Sequence, residues 1–262
     1  MILKSQQHNE PAFEIIDQQD DFIIVNKMAG INFHDENNLG QGLFNQVVRE
    51  VTQKTNETEL YPVHRLDKMT SGLVIFARNL VTAQQFQQLF AQHKIEKYYL
   101  AISDQKPKKK QGLIKGDMEK GRRGSWKLLR SENNPAISQF FSYALVQNTV
   151  DTLTQNIINK NTQHKAQRKR LYLIKPHSGK SHQIRVALKS IGAAIIGDQR
   201  YYSSSKADRG YLHAYGLRFT LHDKNYHYVL PPTQGELFTI SSVQEKLKEL
   251  QMPWQLNWPN IN

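Results

Sequence analysis

The run Leu73-Val-Ile-Phe-Ala77 is apolar at every position, β-branched at Val74 and Ile75, and aromatic at Phe76. Five residues are too few for a stable helix, so the run reads as a buried strand. The stretch before it, Tyr61-Pro-Val-His-Arg-Leu-Asp-Lys-Met-Thr-Ser-Gly72, places one carboxylate, Asp67, between Arg65 and the small turn Thr70-Ser71-Gly72. A loop that enters a core strand is a rigid mount for a side chain. Taken alone, these residues allow an ordinary reading, with Asp67 accepting backbone N–H bonds in a turn and Arg65 as an ion-pair partner. They also allow a catalytic one.

What a chain built around that strand can do is narrowed by its charge. The 35 Lys and Arg against 23 Asp and Glu leave a formal charge of +12, which favours a polyanionic partner, nucleic acid before an anionic membrane. With 262 residues, 39% of them hydrophobic, the chain can bury one large domain or two intimate subdomains. No apolar run reaches the length of a membrane span, and MILKSQQHNE at the N-terminus lacks the apolar core of a secretion signal. The absence of cysteine excludes disulfides, thiol catalysis and Cys-based zinc sites, and points to a reducing cytoplasm. The ten histidines are scattered, with no HExxH frame, so no metal site is expected. There is also no GxGxxG and no P-loop.

Along the chain, residues 1–12 are polar and read as a loose arm, followed by a single domain over 13–252 and a tail over 253–262. Phe22-Ile-Ile-Val-Asn-Lys27 reads as a strand ended by Ala29-Gly30. Leu43, Phe44, Val47, Val48 and Val51 recur at helical spacing. After the Leu73–Ala77 strand, Asn79 is placed to cap a helix with Val81, Phe86, Leu89 and Phe90 on one face. Ile95–Ile102 reads as another strand, whose alternation puts Tyr98 and Tyr99 on opposite faces. Strands are also expected from Ala136 to Val146 and over Leu171–Lys175, and a helix with the stripe Ile184, Ala187, Leu188 and Ile191. Phe219–Leu221 and Tyr226–Leu230 flank Asp223-Lys-Asn225 as a hairpin. Ser242 with Glu245 reads as a capping box for a terminal helix through Val243, Leu247 and Leu250.

Two segments carry extra basic charge. Residues 103–130 hold Lys108, Lys109, Lys110, Arg122, Arg123 and other cations punctuated by glycine, and read as a basic loop. Such a run is either a solvated surface or a contact for RNA phosphates, with Trp126 available for stacking. Residues 147–170 are polar with a basic end, and read as an enlarged connection between strands.

The word HRLDKMTSGLVIFAR closely resembles the signature of the RluA-type RNA pseudouridine synthases. Other words match in the family's order. IIVNKMAGINFH resembles its first motif, with Met28 in the usual proline position. Lys97, Tyr99 and Ala101 fall on its K-x-Y-x-A strand. SGKSHQIRVALKSIGAAIIGD resembles its TGR-x-HQIR word, with Lys180 for Arg, Ala187 for His and Ala194 for Pro. RGYLHAYGLRF resembles its last motif, with His213, Leu217 and Phe219 in frame. The matches run from about residue 22 to about residue 219, so the catalytic domain is expected without the N-terminal RNA-binding module many relatives carry.

The resemblance implies an α+β fold: a mostly antiparallel mixed sheet in two subdomains flanking an active-site cleft. It implies isomerisation of uridine to pseudouridine in structured RNA, a ribosomal or transfer RNA stem-loop, by a cytoplasmic monomer without cofactor or metal. Asp67, Tyr99 and Arg185 are then the catalytic residues. Asp67 acts as a nucleophile or as the base that starts elimination to a glycal, Arg185 keeps it ionised, and Tyr99 packs on the uracil. Substrate contacts fall on His64, Arg65, Thr70, Lys97, Lys180, His182 and Leu217, with Leu217 as an apolar wall and Arg65 in the space the base leaves. The rivals are a catalytically silent RNA-binding or chaperone protein on the same fold, and an unrelated RNA-processing enzyme without cofactor.

Overall fold

A computed structural model of the chain describes residues 11–36, 39–54, 59–145 and 169–261. Most of the expected arm and insertion, residues 1–10 and 146–168, therefore lies outside the described residues. The first half of the chain folds around the strand read first. β1 (Phe13–Gln18) and β2 (Phe22–Lys27) form a hairpin, and β2 pairs antiparallel with β4 (Ser71–Ala77), which also takes the short β3 (Tyr61–Pro62). Every residue of β2 and β4 is buried, because both faces are covered. Alternation decides which residue goes where. Val25, Val74 and Phe76 meet Leu43, Val47 and Val51 of α1 (Leu43–Lys54) on one face. Phe22, Ile24 and Ile75 meet Phe86 of α2 (Leu80–Ala91) on the other.

Asn79 caps α2 as expected, its Oδ1 accepting the Thr82 N–H at 2.8 Å. Val81, expected on the buried face, is exposed, and Thr82, Ala83 and Phe86 fill that face instead. At 3.6 residues per turn Val81 points roughly 140° away from Phe86, which accounts for the difference.

The second half adds β5 (Glu96–Ser103), β6 (Gln111–Gly116), β7 (Met118–Lys120), β8 (Trp126–Leu128), β9 (Ala136–Ala144), β10 (Arg170–Pro176), α3 (Gln183–Ser190), β11 (Leu212–Leu221), β12 (Lys224–Val229) and α4 (Ser241–Glu249). One sheet runs β1-β2-β4-β11-β5-β10-β9-β6, with β12 on β11 and β3 on β4. The β4–β11 join is parallel and only two residue pairs wide, Ser71 with His213 and Gly72 with Ala214. Gly72 has φ +108°, and a Cβ there would lie 2.3 Å from Ala214 O, so the join needs glycine. The expected subdomains are the two halves of this sheet, either side of that join. β5, β10 and α3 pack a separate core through Leu100, Ile102, Leu173, Ile184 and Leu188.

Three expectations are corrected. The segment 103–130 is a loop only over residues 104–110: the rest forms β6 and the separate β7–β8 hairpin, whose tip is a 3-10 turn at Arg122–Gly124. The β11–β12 turn falls at His222–Asp223, both with the positive φ that a two-residue hairpin turn needs, and not at Asp223–Asn225. Ser242 lies inside α4, whose N-cap is Ile240 with no side-chain cap, so the capping box does not form. The C-terminal segment folds back through a 3-10 turn at Pro253–Gln255. Trp254 and Trp258 pack on Tyr98 with ring centroids 6.4 Å and 5.8 Å apart, which seals the Tyr98 face of β5 and leaves Tyr99 on the other. Among the described residues no helix is long and apolar enough to cross a membrane.

Candidate active site

Asp67 lies in the loop between β3 and β4, directly above the β4–β11 join. The backbone of that loop is held from below. The Thr70 N–H returns to Asp67 O at 3.0 Å, and the Gly30 N–H reaches Lys68 O at 2.8 Å. Lys27, fully buried at the end of β2, donates from Nζ to Met28 O, Lys68 O and Thr70 O at 2.9, 3.2 and 2.8 Å. Burial, then the Arg209 charge, draws its pKa down to about 7, against the pull of Asp67. His64 holds the other side. Its Nε2 accepts the Ile75 N–H at 3.0 Å, and burial followed by the Lys97 charge lowers its pKa to about 3, so the ring is a neutral acceptor.

Under the join, a buried polar chain fixes the start of β4. Arg209 Nη2 donates to Ser71 Oγ at 2.6 Å, and Ser71 Oγ lies 2.7 Å from His213 Nδ1. His213 Nε2 lies 2.8 Å from Leu230 O, which can only accept. The protons are thereby ordered: Nε2–H points to Leu230, and the Ser71 hydroxyl donates to Nδ1. Burial lowers the His213 pKa to about 3.

Arg185, on the first turn of α3, carries the electrostatics. It is buried, not a surface helix residue. Its Nε and Nη2 grip Asp198 at 2.7 and 2.8 Å in a fork, and its Nη1 donates to Asp67 Oδ2 at 2.8 Å. Asp198 is fully buried and also accepts the Arg200 and Tyr201 N–H groups at 3.1 and 3.2 Å. Burial would lower the Arg185 pKa; the bonds and charge of Asp198, then those of Asp67, outweigh burial and raise it. Asp198 thus fixes the guanidinium, and the guanidinium aims the one partly open carboxylate. The Asp67 side chain keeps 28% of its surface exposed, so a ligand can reach it.

Two cavities meet at Asp67. The smaller, about 370 Å³, is lined by Asp67, Tyr99, Arg185, Lys97, Thr70 and Leu212 among others, a size that suits one nucleotide-sized ligand. Tyr99 offers its ring from β5, and its pKa is raised first by burial and then by the Asp67 charge, so the phenol stays protonated. Lys97 stands over the Phe90 ring at 5.4 Å, and burial lowers its pKa to about 8. Lys180 is on the rim, its Nζ on Asn134 O at 2.5 Å. The larger cavity, about 1170 Å³, also reaches Asp67, and its walls include Arg122, Arg123, Arg200 and Lys68. Arg65 and His182 line both. His182 sits at φ +57° just before α3, a left-handed backbone that costs a non-glycine residue on the order of 1 kcal/mol.

The structure thus brings Asp67, Tyr99, Arg185, His64, Arg65, Thr70, Lys97, Lys180 and His182 to one place. It does not bring Leu217. That side chain is buried with Phe22, Phe86 and Phe219, in the part of β11 that pairs with β12, and Leu212, beside the β4 join, lines the cavity from β11 along with Leu66 and Ile184 from other elements. Asp198, Lys27 and the Arg209–Ser71–His213 chain went unnoticed in the sequence as parts of a site. Of the basic stretch, Lys115 and Lys127 pair with Glu132 and Glu119, both at 2.7 Å, while Arg122 and Arg123 face the larger cavity.

Residues 21–190 match the RNA pseudouridylate synthase family. The chain is 42% identical over 236 residues to a Haemophilus influenzae protein named uncharacterized RNA pseudouridine synthase, covering 90% of this chain and 94% of that one. The chain belongs to this family. Its reaction is the isomerisation of uridine to pseudouridine in RNA, so the chain is an RNA pseudouridine synthase, an isomerase. It is also 28% identical over 251 residues, 93% of each chain, to the tRNA pseudouridine synthase C of Haemophilus ducreyi. Among solved structures, Human RNA Pseudouridylate Synthase Domain Containing 1 superposes with a TM-score of 0.67 at 18% identity, over 92% of this chain and 95% of that one, which shows the shared fold.

Proposed function

We propose that this RNA pseudouridine synthase takes a uridine flipped out of an RNA stem-loop into the smaller cavity, and that Asp67 carries the reaction there. The observation behind this is the Arg185 bridge: one buried guanidinium, fixed by Asp198, donates at 2.8 Å to the partly open carboxylate at the mouth of a cavity that Tyr99 lines. The isomerisation breaks the bond from C1′ to N1 and forms one from C1′ to C5; the C5 proton leaves, and N1 gains one. No electron or energy donor enters that balance. Asp67 serves either as the nucleophile at C1′ or as the base that takes the C2′ proton while the C1′–N1 bond breaks, leaving a glycal and free uracil, and Arg185 holds the carboxylate in place in either role. Tyr99 stacks on the detached uracil so that it is retained, and Leu212 closes the wall beside it.

Flipping costs a few kcal/mol, least where the base is already unpaired, which favours a loop in ribosomal or transfer RNA. Arg65, at the seam of the cavities, fills the gap the base leaves, and the larger cavity takes the neighbouring phosphates. We place the activity in the cytoplasm, on the cysteine-free composition, and assign it to a monomer whose catalytic domain spans 13–252.

The test is tritium release from bulk ribosomal and transfer RNA labelled at C5 of uracil, by the wild type and by Asp67→Asn. Release by the wild type, with a drop of at least about a hundredfold in the variant, is expected. Release by both would mean another carboxylate acts. RNA binding without release by either would support a silent RNA-binding protein.

A further inference from the structure

Tyr201, in the loop after α3, touches both groups that flank Asp67 and also the element beyond them. Its ring lies 5.0 Å from the Arg185 guanidinium and 5.4 Å from the Lys189 ammonium. Its hydroxyl accepts the Trp126 N–H of β8 at 2.8 Å and lies 2.9 Å from His182 Nδ1. The other nitrogen of that ring, Nε2, lies 3.9 Å from Asp67 Oδ1, on the side of the carboxylate away from Arg185.

The directions of these bonds are constrained. A backbone N–H can only donate, so the phenolic oxygen accepts from Trp126 and its own O–H is free to donate to Nδ1. When that O–H is given to Nδ1, Nδ1 is the acceptor, and the proton of the neutral imidazole sits on Nε2, facing Asp67. The carboxylate favours the same tautomer, since a lone pair there would face a negative charge. The imidazole is held neutral: burial and then Arg185 lower its pKa, against the pull of Asp67.

We propose that Tyr201 is a positioning residue: its hydroxyl keeps the Nε2–H of His182 aimed at Asp67, its ring steadies Arg185, and the same oxygen ties both to the β7–β8 hairpin. That hairpin carries Arg122 and Arg123 into the larger cavity. One phenolic oxygen therefore connects the element facing the neighbouring phosphates to the carboxylate that reacts. The catalytic meaning of this connection rests on the role given above to Asp67; the connection itself does not.

Two readouts separate those claims. Nitrogen-15 spectra of histidine-labelled full-length protein, with His182 assigned by its loss in His182→Gln, report the tautomer without RNA. The wild type shows one tautomer, protonated on Nε2, and Tyr201→Phe shows a mixture or the Nδ1–H form. Identical His182 signals in both proteins overturn the proposal. The second readout is single-turnover tritium release from the C5-labelled bulk RNA. Tyr201→Phe, which keeps the ring, lowers the rate about tenfold while half-saturation by RNA stays within about twofold. An unchanged rate, or a loss confined to half-saturation, overturns the positioning role. In a double-mutant cycle, Tyr201→Phe adds little to His182→Gln; fully additive losses mean the two act separately. A wild type that releases no tritium would defeat the function proposed above, while the tautomer spectra would still decide the contact.

Discussion

Asp198 does not line the smaller cavity, yet the order of the site begins with it. It is fully buried and grips Arg185 through Nε and Nη2, which leaves Nη1 turned to Asp67. Asp198→Asn keeps the shape and removes the charge, leaving Arg185 buried with a weaker partner. Breaking a buried pair in this way costs about 3 kcal/mol of stability. We expect a correspondingly lower urea midpoint, together with a lower turnover rate as Asp67 loses its fixed donor. A variant with wild-type stability and rate would show that Asp67 alone orients Arg185. In the sequence Asp198 is only the last residue of the SGKSHQIRVALKSIGAAIIGD word, since a separation of 13 residues from Arg185 hides their contact. Lys27 was hidden for a different reason: buried lysines are rare, so an ammonium under a loop is not what a strand-ending lysine suggests. Tyr99 was legible because strand alternation alone separates it from Tyr98, and the tail tryptophans do cover Tyr98.

At the scale of elements, the strands and helices of the core were readable from periodicity, and the elements at the rim were not. The basic stretch hid the β7–β8 hairpin because its charges obscure a two-fold alternation over only three residues per strand. Leu217 lies off the smaller cavity because a motif frame does not say how far along β11 that cavity extends; its lining from β11 is Leu212. The hairpin can be tested directly. Replacing Arg122 and Arg123 together by Ser should weaken RNA binding and reduce the slope of log affinity against log salt by about one unit for each phosphate left without its arginine. A slope equal to that of the wild type would mean both arginines are solvated. The join is tested at Gly72. Its Cβ would press on Ala214 O, so Gly72→Ala should cost more than about 2 kcal/mol and depress activity through the loop above it. A thermal midpoint unchanged by Gly72→Ala would mean that β4 and β11 are not packed this closely.

For the whole molecule, the buried imidazoles set a floor on pH. His213 binds a proton near 6.5 when unfolded and only near 3 when folded, and His64 behaves alike. Between those values the unfolded chain holds the extra protons, so stability is lost as pH falls through that window, by up to about 1.4 kcal/mol per pH unit for His213. Urea midpoints measured across the window should fall with acidification, and the fall should be shallower in His213→Asn even though that variant starts lower. Equal slopes would mean that His213 titrates normally in the folded protein.

The position of β11 in the sheet has a consequence for how the protein is made. Asp67, Tyr99 and Arg185 all precede β11 in the chain, yet β11 lies between β4, which follows Asp67, and β5, which carries Tyr99. Synthesis delivers the N-terminal segments first, so for the time needed to translate residues 191–221 the nascent chain holds all three proposed catalytic side chains without the strand that joins them. During that interval the facing edges of β4 and β5 are unpaired, the state in which a partly made sheet is most open to pairing with the wrong strand. Activity thus arrives late and all at once, when the central strand closes the gap.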